Sequence, residues 1–166
     1  MRLVCMSPQE LLNLLKERFG EENIGEAKVE NRRLFFKVPY EKAHDIAVFL
    51  KENGFDMPIT MGGTDFPKKN VIEIFYGIWS SIHDFVVMMK FDISREEPKF
   101  KTFIDIWPGV HNFERETWEL LGVEIEGHPR LKLLLLPDDW SFEEEGHPLR
   151  KDFNPSRYKR PWGDED

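Results

Sequence analysis

Two consecutive apolar runs, residues 71–79 and 82–91, constrain the fold most tightly. Both are rich in β-branched and aromatic side chains, which suit a pleated, half-buried surface. Only Ser80-Ser81 lies between them, which leaves room for a turn and little else. The two runs are expected to form an antiparallel hairpin, and its apolar face needs a cover.

The cover comes from the preceding residues. Ser7 can cap a helix with Pro8 at its first position and Glu10 at its third. Leu11, Leu12, Leu14, Leu15 and Phe19 recur at helical spacing before Gly20, which predicts a helix over 8–19. Residues 26–38 read as two short strands turning at Asn31-Arg32-Arg33, with Leu34, Phe36 and Val38 on one face. Residues 40–53 read as a second helix burying Ala43, Ile46, Ala47 and Leu50. Residues 57–65 read as extended and 66–70 as a charged turn. The expected class is α+β: a mixed or antiparallel sheet with two helices packed on one face, then a short helix and an extended C-terminal tail. Residues 1–145 are expected to form one domain and 146–166 a basic tail with no core of its own.

Composition narrows the function. A net charge of −8 argues against nucleic acid as the main partner, because phosphate binding needs a basic field. A single cysteine, Cys5, excludes an internal disulfide and a cysteine-ligated zinc or iron–sulfur site. The longest apolar runs fall short of the roughly 20 residues that span a bilayer. Charged residues make up 33% of the sequence and Gln9 is its lone glutamine, a lean towards a thermophilic source.

Residues 103–153 concentrate aromatic, charged and turn-forming side chains. Residues 103–107 read as strand-like, and Pro108-Gly109 makes a turn after them. Asn112 is a plausible cap for a helix over 112–121, with Glu114 in the first turn, where a carboxylate complements the helix dipole. Phe113, Thr117, Leu120 and Leu121 share its packing face. Arg115 and Glu119, four apart, can pair on its surface. Glu114, Arg115, Glu116 and Glu119 then either form a solvated face or meet a partner. His111, Glu114 and His128 suggest a metal site and a metal-dependent hydrolase, although His128 and His147 both sit in Gly-His-Pro turns. Residues 131–136 read as a buried strand or one turn of helix, Asp138-Asp139-Trp140 as a turn, and 143–145 as a solvated acidic run. From Gly146 to Arg160 five cations (Arg150, Lys151, Arg157, Lys159, Arg160) face Asp152 alone, a composition suited to docking on an acidic partner.

The runs Trp107-Pro108, Phe113-Glu114-Arg115-Glu116-Thr117-Trp118-Glu119-Leu120-Leu121-Gly122-Val123, Glu126-Gly127-His128-Pro129, Leu135-Leu136-Pro137-Asp138-Asp139-Trp140 and Gly146-His147-Pro148-Leu149-Arg150-Lys151-Asp152-Phe153 resemble the 30-kDa subunit of respiratory complex I, the NADH:quinone oxidoreductase. They resemble equally the corresponding small subunit of membrane-bound [NiFe] hydrogenases and related ion-pumping complexes. One departure is Glu119, where complex I members usually have Asp. The resemblance implies a peripheral-arm subunit on the cytoplasmic face of the membrane, without catalytic residues or a cofactor of its own. Its implied partners are a hydrogenase-like large subunit and an iron–sulfur subunit, with the clusters, and nickel–iron where present, on those proteins. The implied partner interface comprises Glu114, Arg115, Glu116, Glu119, His128, Asp138, Asp139, Trp140, His147, Arg150, Lys151 and Asp152. A simple acidic interaction module is the reading of a different class.

Overall fold

The computed structural model describes residues 5–157. The elements in order are α1 (Pro8–Phe19), β1 (Gly25–Glu30), β2 (Arg33–Lys37), α2 (Tyr40–Glu52), β3 (Met57–Phe66), β4 (Val71–Ser80), β5 (Phe85–Ser94), β6 (Lys99–Lys101), α3 (His111–Leu121) and β7 (Glu124–Glu126). The first five strands form one sheet in the order β1-β2-β5-β4-β3. Its pairs are antiparallel except β2 with β5, so the sheet is mixed. β6 and β7 make a separate parallel pair.

α1 begins where its capping box predicts. Ser7 Oγ accepts from the Glu10 amide, and the Glu10 carboxylate accepts from the Ser7 amide at 2.6 Å. α1 packs on β1 and β2, α2 on β5, and α3 on β3. The face they cover carries the alternating residues Leu34 and Phe36, Ile72 to Ile78, and Phe85 to Ile93, all buried.

Two expectations for the sheet change. The second hairpin strand starts at Phe85 and not at residue 82, because residues 81–84 make the turn. Asp84 takes a left-handed φ of 59° and its amide bonds Ser80 O at 2.8 Å. Ile82 and His83 look like strand in sequence, but His83 is buried in the turn and bonds Met6 and Asn53. Residues 103–107 are a turn and not a strand. The Trp107 amide bonds Phe103 O at 2.8 Å, which stacks the two buried rings 6.4 Å apart.

The opposite sheet face stays open yet covers itself. Lys37 sits opposite Lys90, and Glu73 opposite Asp92, like-charge pairs that alone would repel. Their side chains cross instead: Lys37 reaches Glu73 and Asp92 at 3.0 and 2.9 Å, and Lys90 reaches Glu73 at 2.9 Å. Burial pushes the Glu73 carboxyl up, but the two ammonium groups outweigh it and hold it below its ordinary range. Beyond the charges, Met88 and Thr60 close over Gly77, where a Cβ would lie within 2.8 Å of both.

Candidate partner interface

α3 follows a tight turn at Pro108–Val110 and ends at Gly122. Its first helical residue is His111, and Val110 occupies the cap position without a side-chain bond. Asn112 is therefore not the cap. It lies inside the helix, and its carbonyl oxygen accepts from Arg115 at 3.3 Å. Thr117 and Leu121 are buried as expected.

The charged residues of α3 correct the surface reading. Glu114 and Glu119 are both 0% exposed, so neither is presented at the surface. Glu114 points into the core, where Tyr76 Oη donates at 2.9 Å and the Phe103 amide at 2.8 Å to one carboxylate oxygen. Thr102 Oγ1 donates to the other. The bonds tie the first turn of α3 to the centre of β4 and to the 102–103 backbone. Burial pushes the Glu114 carboxyl above its ordinary value, although the three donors oppose that.

Arg115 and Glu119 do not pair with each other. Arg115 donates to Lys132 O at 3.1 Å and Leu133 O at 2.8 Å. The Glu119 carboxylate accepts from three successive amides, Leu134, Leu135 and Leu136, the last at 2.7 Å. Both side chains thus grip the backbone of one segment. Residues 131–136 are accordingly neither strand nor helix but an irregular run, with two of its carbonyls and three of its amides bonded by α3. The three converging amides form a small nest, and a buried carboxylate is the ligand that such a nest suits.

Helix ends leave four carbonyls without intrahelical partners. At the C-terminus of α3 all four are filled. Gly122 N bonds Trp118 O at 3.0 Å, His147 Nδ1 donates to Glu119 O at 2.8 Å, Leu149 N bonds Leu120 O at 2.9 Å, and Arg150 Nε donates to Leu121 O. The run Gly146-His147-Pro148-Leu149-Arg150 is thus a helix cap supplied from a distance: His147 lies 28 residues beyond the Glu119 whose carbonyl it binds. Arg150 also puts a cation at the negative end of the helix dipole. Gly122 is required twice over: its φ is +67°, and a Cβ there would lie 2.4 Å from His147 Nε2.

A buried carboxylate locks this strap to the sheet. Asp65, on the core face of β3, accepts from Arg95 Nε at 2.7 Å and Nη2 at 3.1 Å, and from the Lys151 amide at 2.8 Å. Arg95 reaches on to Asp152 at 3.0 Å. Burial would raise the Asp65 carboxyl, but Arg95 and the Lys151 amide outweigh it and hold its pKa below the ordinary 3.8. A depressed carboxyl stabilises the fold above its unfolded pKa and loses that contribution as pH falls through the folded pKa. Asp65→Asn is therefore expected to cost about 2 kcal/mol near neutral pH, discounted because Arg95 is partly exposed. The cost should shrink in acid, as urea titrations at neutral and at strongly acidic pH would read out. An equal loss at both would show that the charge is not what holds the strap.

Glu116 is half-exposed, and Asp138, Asp139 and Lys151 are exposed. Trp140 is half-buried, donates to Gly146 O at 3.0 Å and stacks on Phe153. The strap His147–Asp152, read as part of a tail, lies on the protein's own α3 and sheet. Lys159 and Arg160, two cations of the basic-tail reading, lie outside the described residues.

The metal reading fails on its donors. His128 Nδ1 accepts from the Arg130 amide at 3.1 Å, so Nε2 carries the proton and donates to His111 O at 3.1 Å. Both nitrogens are engaged, and burial depresses the pKa of the ring. Its neighbour His111 packs against it with ring centroids 4.8 Å apart, while Glu114 faces the core. Among the described residues no group of three His, Cys, Asp or Glu is placed to hold a metal.

Sequence reasoning missed Tyr76, Asp65 and Arg95. A signal for Asp65 existed: it falls in period with Met61 and Gly63 on the buried face of β3, where a lone carboxylate demands a partner.

Residues 36–159 match the family model described as respiratory-chain NADH dehydrogenase, 30 Kd subunit. The sequence is 34% identical over 159 residues to a subunit of the F(420)H(2) dehydrogenase of Methanosarcina mazei, covering 93% of this protein and 98% of that one. It is 35% identical over 117 residues to a subunit of the NADH-quinone oxidoreductase of Moorella thermoacetica, covering 70% and 76%. Among solved structures it superposes with TM-score 0.77 and 28% identity on one protein of the membrane-bound sulfane sulfur reductase, an archaeal respiratory membrane complex, over 89% of this protein and 85% of that one.

Proposed function

This chain belongs to the family of the 30-kDa subunit of the respiratory-chain NADH dehydrogenase, and from that premise we propose that it is a scaffold subunit of a complex-I-like oxidoreductase. The proposed partners are a hydrogenase-like large subunit and an iron–sulfur subunit, which hold the clusters. The scaffold itself binds no cofactor and sits on the cytoplasmic face of the membrane. No helix among its described residues is long and apolar enough to cross a membrane. Its contribution to ion-coupled electron transfer is to fix the large subunit through the surface built on α3.

One observation supports this reading above the others. Glu114, Arg115 and Glu119 of α3 are engaged by backbone groups of residues 132–136 and by the core, and among the described residues no group of three His, Cys, Asp or Glu is placed to hold a metal. The result is an organised segment at residues 131–136, held in one shape by buried and half-buried side chains of α3. The test is coexpression with the proposed large and iron–sulfur subunits. Arg115→Glu should release the Lys132 and Leu133 carbonyls, and truncation after Glu145 should uncap α3. Each is expected to lower the occupancy of this protein in the purified complex about tenfold, the effect of roughly 1.4 kcal/mol at an interface. Full occupancy after both changes would defeat the assignment.

A further inference from the structure

We infer that the segment gripped by α3 is a preformed apolar plug: Leu134 and Leu135 insert into an apolar cleft with an acidic rim on a partner protein. The inference rests on the scaffold reading above and names the partner surface.

Leu135 is 60% exposed, Leu134 37% and Leu149 53%. The first two lie on an irregular segment whose three amides end on the Glu119 carboxylate. Leu149 lies on the strap, and its amide is fastened to the Leu120 carbonyl, one residue further along the helix. Holding a backbone in one shape with a fully buried carboxylate costs desolvation. Within the fold itself that arrangement gains little, because the leucines so displayed face water. A backbone fixed before binding loses little conformational freedom on docking, which favours the side chains it carries as anchors.

Charge selects the occupant. Arg130 and Lys132, which precede the leucines, are exposed, and no bonded carboxylate partner is found for either side chain among the described residues, while the exposed Asp138 and Asp139 follow on the other side in sequence. A partner cleft with carboxylates on the side of Arg130 and Lys132 would complete these two cations, which guides encounter and register. The open face of the sheet is the rival surface. There the charges are already paired with one another and Met88 closes over Gly77, so it offers less that is unsatisfied.

The test uses the full-length protein in its multi-subunit complex, with Leu134→Ser/Leu135→Ser compared with Val48→Ser, an exposed apolar residue of α2. The leucine variant should keep the thermal midpoint of the isolated protein and lower its occupancy in the complex at least tenfold, with Val48→Ser at wild-type occupancy. Arg130→Glu/Lys132→Glu should slow association and flatten its salt dependence. Wild-type occupancy of the leucine variant would overturn the plug. Leucine-dependent dimerisation of the isolated protein, without effect on the complex, would overturn the choice of occupant. Failure of the wild-type protein to enter any complex would instead defeat the scaffold reading.

Discussion

Replacing Glu114 by alanine is expected to lower stability by about 4 kcal/mol, roughly 12 °C in Tm for a protein of this size. The change leaves Tyr76 Oη, Thr102 Oγ1 and the Phe103 amide in the core without their acceptor. Unsatisfied buried donors are costly because water cannot reach them. Glu114→Gln keeps an acceptor oxygen and should cost less than half as much. The pair also has a pH signature. Burial raises the Glu114 carboxyl above its ordinary 4.5, so the folded state binds this proton more tightly than the unfolded state does. Its stabilisation is full below 4.5 and declines as pH rises through the raised pKa. The stability of wild type minus that of Glu114→Gln should therefore fall as pH rises above 4.5. Asp65 has the opposite sign. Chemical denaturation of both proteins across that range measures the difference, and a flat difference would remove the titration from the account.

Replacing Glu119 by alanine has a different expected result, large but local. Leu134, Leu135 and Leu136 lose the shared acceptor of their amides. The segment should open by about 2.5 kcal/mol more readily, since water replaces part of what is lost. Amide hydrogen exchange at these three residues should then accelerate roughly sixtyfold. The strands β4 and β5 should exchange at wild-type rates. Unchanged exchange at 134–136 would show that Arg115 alone suffices to hold the segment. The two glutamates stand on one helix, yet the first is expected to report in the global midpoint and the second in a surface segment.

Much of the scaffold was legible in the sequence. The periodicity of 71–91, the capping box at Ser7 and the alternation of Leu34 and Phe36 are local patterns, and local patterns set helices and strands. Two of the misreadings share a cause. Ile82-His83 and 103–107 read as strand because apolar side chains in a turn leave the same trace as apolar side chains in a sheet. Asn112 reads as a cap because the chemistry of a cap is present, although α3 begins one residue earlier.

The functional surface divides along the same line. The sequence by itself determined that 103–153 resembles the 30-kDa subunit family, because its order of residue types is specific. It could not determine which way the charges of α3 point. Glu114, Arg115, Glu116 and Glu119 at helical spacing look like a solvated face. Their fate depends on backbone groups at 102–103 and 132–136, and the end of their helix depends on 147–150. All of these come within reach only when the backbone folds back on α3. Tertiary structure alone decided that two of these carboxylates are buried, that Arg115 holds carbonyls, and that Gly-His-Pro-Leu-Arg caps a helix. The physical reason is that backbone amides and carbonyls are nearly identical at every position. The sequence names the side chains that can bind them, and only the fold says which of them are close.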